Sequence, residues 1–194
     1  MTVVASEALA SSSMAIELAQ AATTDITTVY LIQDGQRSEM RKRAVDIRVS
    51  NNLFIGLGIV PAQVRAVLSG DTAPTRLITQ TPVFEVFIPS DMYAPDFIYV
   101  AKLSERRGRR QVSVARMSTL TGDNSGGIRE NDRISLYLEE LQEVEVQDRD
   151  RVQSYTQYRV TPVEPISSGE YALMISESTL TPAATSGFYD FGVD

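Results

Sequence analysis

Apolar and polar residues alternate one for one through most of this chain, and few architectures tolerate that period. Val45, Ile47 and Val49 are interleaved with Asp46 and Arg48; Val64, Ala66 and Leu68 keep the rhythm; Ile134, Leu136 and Leu138 alternate with Ser135, Tyr137 and Glu139. Successive side chains of a β-strand point to opposite faces, so a period of two marks a sheet with one buried and one wetted face, the antiparallel habit. Turn chemistry punctuates the runs. Ile26 to Gln33 is β-branched and apolar and ends at Asp34-Gly35, a strong signal for a two-residue hairpin turn. Ser69-Gly70-Asp71 closes the strand that carries Leu68, and Pro82 and Pro89 bracket Val83 to Ile88.

Phe97 to Leu103 is expected to pair with Gln111 to Arg116 across a turn over Ser104 to Arg110. Glu139 to Arg151 reads as a solvated, charge-dense hairpin, and Tyr158 with Val160, Tyr171 to Ile175 and Phe188 to Val193 complete about ten strands. No segment after residue 25 has a helical period. The expected fold is an all-β antiparallel β-sandwich, Ig-like or jelly-roll-like, made of two packed sheets over residues 26–194. Residues 1–25 form a separate unit, an Ala-rich short helix or extended arm, with Leu9, Met14, Ile16 and Leu18 as its apolar contacts.

Composition then removes chemistries. The 194 residues include neither histidine nor cysteine. Without them there is no Ser-His-Asp or Cys-His machinery, no imidazole or thiolate metal site and no disulfide. The expectation is a non-enzyme with no catalytic, cofactor-binding or metal residues and no cofactor. Met1 to Ala22 carries no Lys or Arg and includes Glu7 and Glu17, so no export signal is read there. A cytoplasmic protein, or part of a cytoplasmically assembled particle, is expected, or an extracytoplasmic one if a leader has been removed. No run of 18 apolar residues exists to span a bilayer as a helix.

Several fragments superficially suggest sites. Gly56-Leu57-Gly58 lacks the third glycine and the following helix of a phosphate loop. Asp71-Thr72-Ala73 lacks the glycine of an aspartic protease and reads as a turn. Asp123 to Gly127 and Asp148-Arg149-Asp150 lack the spacing of a calcium loop.

Charge is more telling. The net charge is −7, from 18 basic and 25 acidic residues, which disfavours a nucleic-acid partner. Eight of the 18 basic residues fall in two clusters, Arg37 with Arg41, Lys42 and Arg43, and Arg106, Arg107, Arg109 and Arg110. Neither contains an aromatic residue for stacking bases. The second cluster is the candidate protein-contact site, facing an acidic protein surface.

Six ordered fragments carry a resemblance: Asp34-Gly35, Leu68-x-Gly70, Pro82-Val83-Phe84-x-Val86-Phe87-Ile88-Pro89, Arg109-Arg110-x-Val112, Gly127 to Ile134, and Ser168-Gly169-Glu170-Tyr171-Ala172-Leu173. The chain closes on Phe188-Tyr189-Asp190-Phe191-Gly192-Val193-Asp194. From about Val29 to Asp194 this resembles a β-sandwich domain that recurs in uncharacterised bacterial proteins. That family usually has Pro where Ser168 stands, and the stretch from Glu143 to Tyr155 is longer here. The resemblance implies a fold and transfers no site. The functional expectation is a structural or interaction module, a self-associating subunit of a homo-oligomer or larger protein assembly. The alternatives are a carbohydrate-binding or carbohydrate-acting sandwich, which the absence of Trp disfavours, and a phage virion decoration or tail protein.

Overall fold

A computed structural model describes residues 26–49, 62–117, 124–148, 151–176 and 187–194. In chain order the strands are β1 (Tyr30–Gln33), β2 (Gln36–Glu39), β3 (Asp46–Val49), β4 (Ala62–Ser69), β5 (Arg76–Leu77), β6 (Val83–Pro89), β7 (Ile98–Lys102) and β8 (Ser104–Glu105). Then follow β9 (Arg109–Met117), β10 (Asn124–Gly126), β11 (Arg133–Ile134), β12 (Leu136–Asp148), β13 (Arg151–Pro162), β14 (Gly169–Ile175) and β15 (Gly187–Val193). The protein is all-β, with antiparallel sheets packed face to face. The one parallel pairing among the described strands joins β15 to β5. The candidate helix or arm over residues 1–25, with Leu9, Met14, Ile16 and Leu18, lies outside the described residues, as does Gly56-Leu57-Gly58.

There are three layers where two were expected. One sheet runs β12-β13-β6-β1-β2, a second β11-β7-β14-β15-β5, and a third β10-β9-β4-β3 with β8 also paired to β9. The second sheet is the middle layer, and its residues show this by alternating between two cores. Ile98, Val100, Tyr171, Leu173, Tyr189, Phe191 and Val193 pack with Leu31, Phe84, Val86, Ile88 and Val160 of the first sheet. Ala101, Ala172, Met174 and Phe188 pack with Ala66, Leu68, Val112 and Val114 of the third. All seven residues of β15 are buried. A strand covered on both faces needs a continuous apolar run, which Tyr171 to Ile175 and Phe188 to Val193 nearly provide.

Two short connections tie the layers together. Met40 donates its N–H to Val29 O (2.8 Å) in the first layer, and Arg43 donates its N–H to Phe188 O (2.7 Å) in the second. Val45 packs into the core of the third just before β3 begins. The other connection corrects the expected pairing of Phe97–Leu103 with Gln111–Arg116. β7 pairs with β14 and β11, the chain turns at buried Leu103, and only Ser104 and Glu105 reach β9. One extended run thus serves two sheets, which local alternation cannot reveal.

The hairpin signals hold. Asp34 (φ 50°) and Gly35 (φ 74°) occupy the turn between β1 and β2, and Arg107 (φ 51°) and Gly108 (φ 74°) that between β8 and β9. Positive φ at both central residues is the signature of the primed turn whose twist matches that of paired strands.

Candidate functional site

Arg110 follows the inward rhythm of Val112 and Val114 on β9, so a guanidinium enters the interface between the middle and third layers. Its side chain is 0% exposed, and those of Glu170 and Asp190, which meet it from β14 and β15, are 4% and 1%. Arg110 Nη1 donates to Glu170 Oε2 at 3.3 Å, while Nε and Nη2 donate to the carbonyls of Gly70 (3.1 Å) and Ser69 (3.3 Å). Arg110 Nη2 also lies 2.7 Å from Asp190 Oδ2, off the line of an N–H bond, so this contact is an ion pair without a well-aligned hydrogen bond. Arg43 Nε approaches Asp190 Oδ1 at 3.6 Å.

The remaining valences of Glu170 are taken up nearby. Ala73 donates its N–H to Oε2 (2.6 Å), and Arg76 on β5 donates to Oε1 and also pairs with Asp194. Arg76 holds the Asp194 carboxyl below the ordinary carboxylate value, chiefly through that hydrogen bond. Gly192 makes room for this cation: a β-carbon there would lie 1.7 Å from Arg76 Nη1.

Every carboxylate in this junction is neutralised by arginine and closed to solvent, apart from exposed Asp194. Buried ions persist when paired, and Arg110, Glu170 and Asp190 are, with hydrogen bonds completing the shells of Arg110 and Glu170. Such a group offers neither an acid–base pair nor a space for substrate. It holds two layers in register. Residues far apart in the chain converge on it: Gly70, Arg110, Glu170, Asp190, Gly192 and Asp194.

Arg110 was therefore misplaced by its neighbours in sequence. Arg106, Arg107 and Arg109 lie exposed at the β8–β9 turn, whereas Arg110 points inward, because adjacent strand residues face opposite ways. Asp71-Thr72-Ala73 forms the bend whose Ala73 N–H serves Glu170. Asn124 to Gly126 is strand β10 rather than an ion-binding loop.

The charge-dense stretch is a hairpin. β12 is an edge strand of 13 residues containing five carboxylates and no Lys or Arg. A third strand, β6, accompanies β13 only from Tyr155 to Val160, so the distal part of the hairpin projects as a two-stranded ribbon. Nearer its base, Glu85 on the outer face receives Gln157 Nε2 (3.0 Å) and lies 3.4 Å from Arg37 Nε. The Arg37 guanidinium itself stacks 3.6 Å above the Tyr30 ring. That network covers a sheet face and leaves no free acid.

Among the described residues four hollows open on the surface, one of them, of about 280 Å³, lined by Phe87, Met92, Tyr155 and Tyr189. A second, of about 500 Å³, is lined by Lys102, Arg133, Glu164, Ser167 and Tyr171, with Lys102 Nζ donating to Ser167 Oγ (2.8 Å) and Tyr171 OH to Ser167 O (2.7 Å). A third, of about 440 Å³, is bordered by Arg133, Ser135 and exposed Tyr137. The fourth, of about 140 Å³, is polar and flanked by Arg65, Lys102 and Arg129. Among the described residues no three Asp or Glu side chains are grouped to hold a metal ion, and no helix is long and apolar enough to cross a membrane. In comparisons with family models, curated proteins and solved structures, nothing matches this chain.

Proposed function

We propose that this protein is a non-catalytic structural module that assembles head to tail, the acidic β12–β13 hairpin of one copy meeting the basic β8–β9 turn of the next. The observation that carries the reading is charge segregation onto projecting elements of opposite outer layers. Glu140, Glu143 and Glu145 are exposed on a hairpin of the first layer, and Arg106, Arg107 and Arg109 are exposed on a turn of the third. Because the two patches differ, the contact is heterologous and builds rings or filaments rather than a closed two-fold dimer. Arg107 adds support. Its φ of 51° costs a residue with a β-carbon about 1 kcal/mol, which Gly would avoid, so a cation is retained there against local preference.

Light scattering at low and high ionic strength tests the proposal, since exposed ion pairs weaken with salt. The chain should associate at low salt and dissociate at high salt. Arg106→Glu/Arg107→Glu and Glu143→Lys/Glu145→Lys should each be monomeric alone and should associate when mixed. A wild-type chain that stays monomeric, or reversed variants that assemble as well as wild type, would refute it. The alternative of a carbohydrate-binding sandwich draws on the exposed Tyr137 ring beside the hollow of about 440 Å³, a surface on which a sugar could stack. Saturable binding of a soluble glycan, lost in Tyr137→Ala, would favour that reading.

A further inference from the structure

We infer that the hollow of about 140 Å³ is a binding site for a phosphate group. It lies beside β9, in an interval where the edge of the strand away from β4 lacks a partner. Ser104 and Glu105 of β8 pair with Gln111 and Arg110, and Asn124–Gly126 of β10 pair with Ala115, Arg116 and Met117, which leaves Val112 and Ser113 without a strand partner on that edge. A cavity of about 140 Å³ occupies that interval, lined by Arg65 from β4, Lys102 at the end of β7, Ser113, and Arg129 and Asp132 from the loop before β11.

Two independent observations point to an anion. The first is charge: three cations and one carboxylate border the cavity, a net charge of +2. Among the described residues none of these cations has a carboxylate within ion-pair distance. Arg65 donates to the neutral amide oxygen of Gln63 (3.0 Å) and Lys102 to the Ser167 hydroxyl (2.8 Å), so both retain donors to spare. The second is Ser113, which is 6% exposed and whose Oγ has no hydrogen-bond partner. A buried hydroxyl without a partner is a standing cost to the fold, and a turn of the Ser113 side chain toward a ligand oxygen would remove it.

A phosphate monoester carries about −1.5 to −2 charges at neutral pH and three strong acceptor oxygens, which suits a pocket of charge +2 with serine and guanidinium donors. The recognised chemistry is the phosphoryl group itself, whether free or carried on a larger molecule. This site is separate from the contact proposed between copies and stands or falls independently of it.

Isothermal titration of the full chain at low ionic strength, with inorganic phosphate in one arm and phosphoserine in the other, tests the assignment. Saturable one-to-one binding is expected in at least one arm, and the tighter arm identifies the source of the phosphate. Arg65→Met and Arg129→Met should each weaken binding by about tenfold or more, the loss expected of a hydrogen bond to an ion. Ser113→Ala is the sharper test. It should weaken binding severalfold while leaving the melting temperature of the unliganded protein unchanged or raised, because it deletes an unsatisfied group. No saturable binding in either arm overturns the assignment. So does binding that all three variants keep at full strength, or a Ser113→Ala chain that melts lower without ligand.

Discussion

Replacing Arg110 with alanine would leave Glu170 and Asp190 side by side on the middle sheet, at an interface from which solvent is excluded. Removing one partner from a buried ion pair costs about 3–5 kcal/mol, because the remaining charge keeps its desolvation and loses its counter-ion. The lower half of that range applies here, about 3–4 kcal/mol, since Glu170 keeps Arg76 and Asp190 keeps Arg43 when Arg110 is removed. Against a total stability of about 5–15 kcal/mol for an ordinary domain, this is a large fraction. At about 2–4 °C per kcal/mol for a chain of this size, the melting temperature should fall by about 6–16 °C.

Calorimetry and urea titration of Arg110→Ala would measure the loss. Two comparisons isolate the cause. Arg106→Ser and Arg107→Ser, a few residues away but exposed, should stay within about 0.5 kcal/mol of wild type. The triple replacement Arg110→Met, Glu170→Gln, Asp190→Asn should recover much of the loss, because removing all three charges together strands none of them. If Arg110→Ala costs less than about 1 kcal/mol, or the triple variant is no more stable than Arg110→Ala, the junction does not hold the layers as argued.

Two further outcomes concern the outer end of the same network. Gly192→Ala should push the Arg76 guanidinium out of its seat, so Gly192→Ala/Arg76→Ala should be no less stable than Gly192→Ala alone; additive losses in urea titration would contradict the seating. The Asp194 carboxyl, depressed by Arg76, should titrate by NMR below the ordinary carboxylate value and return to it in Arg76→Ala. A depressed carboxyl stabilises the fold above its unfolded pKa and loses that contribution as pH falls through the folded one. Any effect of this pair on stability should therefore vanish only in acid below the usual carboxylate range.

Local chemistry was legible in the sequence because it depends on neighbours. Asp34-Gly35 needs only its own φ preferences to turn β1 into β2, and the alternation of Val64, Ala66 and Leu68 needs only the pleat. The sequence by itself thus determined most of the longer strands and the all-β class, though not short ones such as β2, β5, β8 and β10, and the missing histidine and cysteine bounded the chemistry.

Tertiary structure decided what alternation leaves open. Tyr171 to Ile175 reads equally as one face of a sandwich or as a middle layer, and only a third sheet over Ala172 and Met174 distinguishes the two. The unbroken apolar run there, and the run from Phe188 to Val193 that Asp190 alone interrupts with charge, were the available sign. Arg110 was beyond any local reading. Its partner Glu170 is 60 positions away, and Arg109 beside it has the same chemistry and the opposite environment. Which of two adjacent arginines is buried depends on the register of β9 against β4, set by Leu68 opposite Arg110 and by the layer that closes over both.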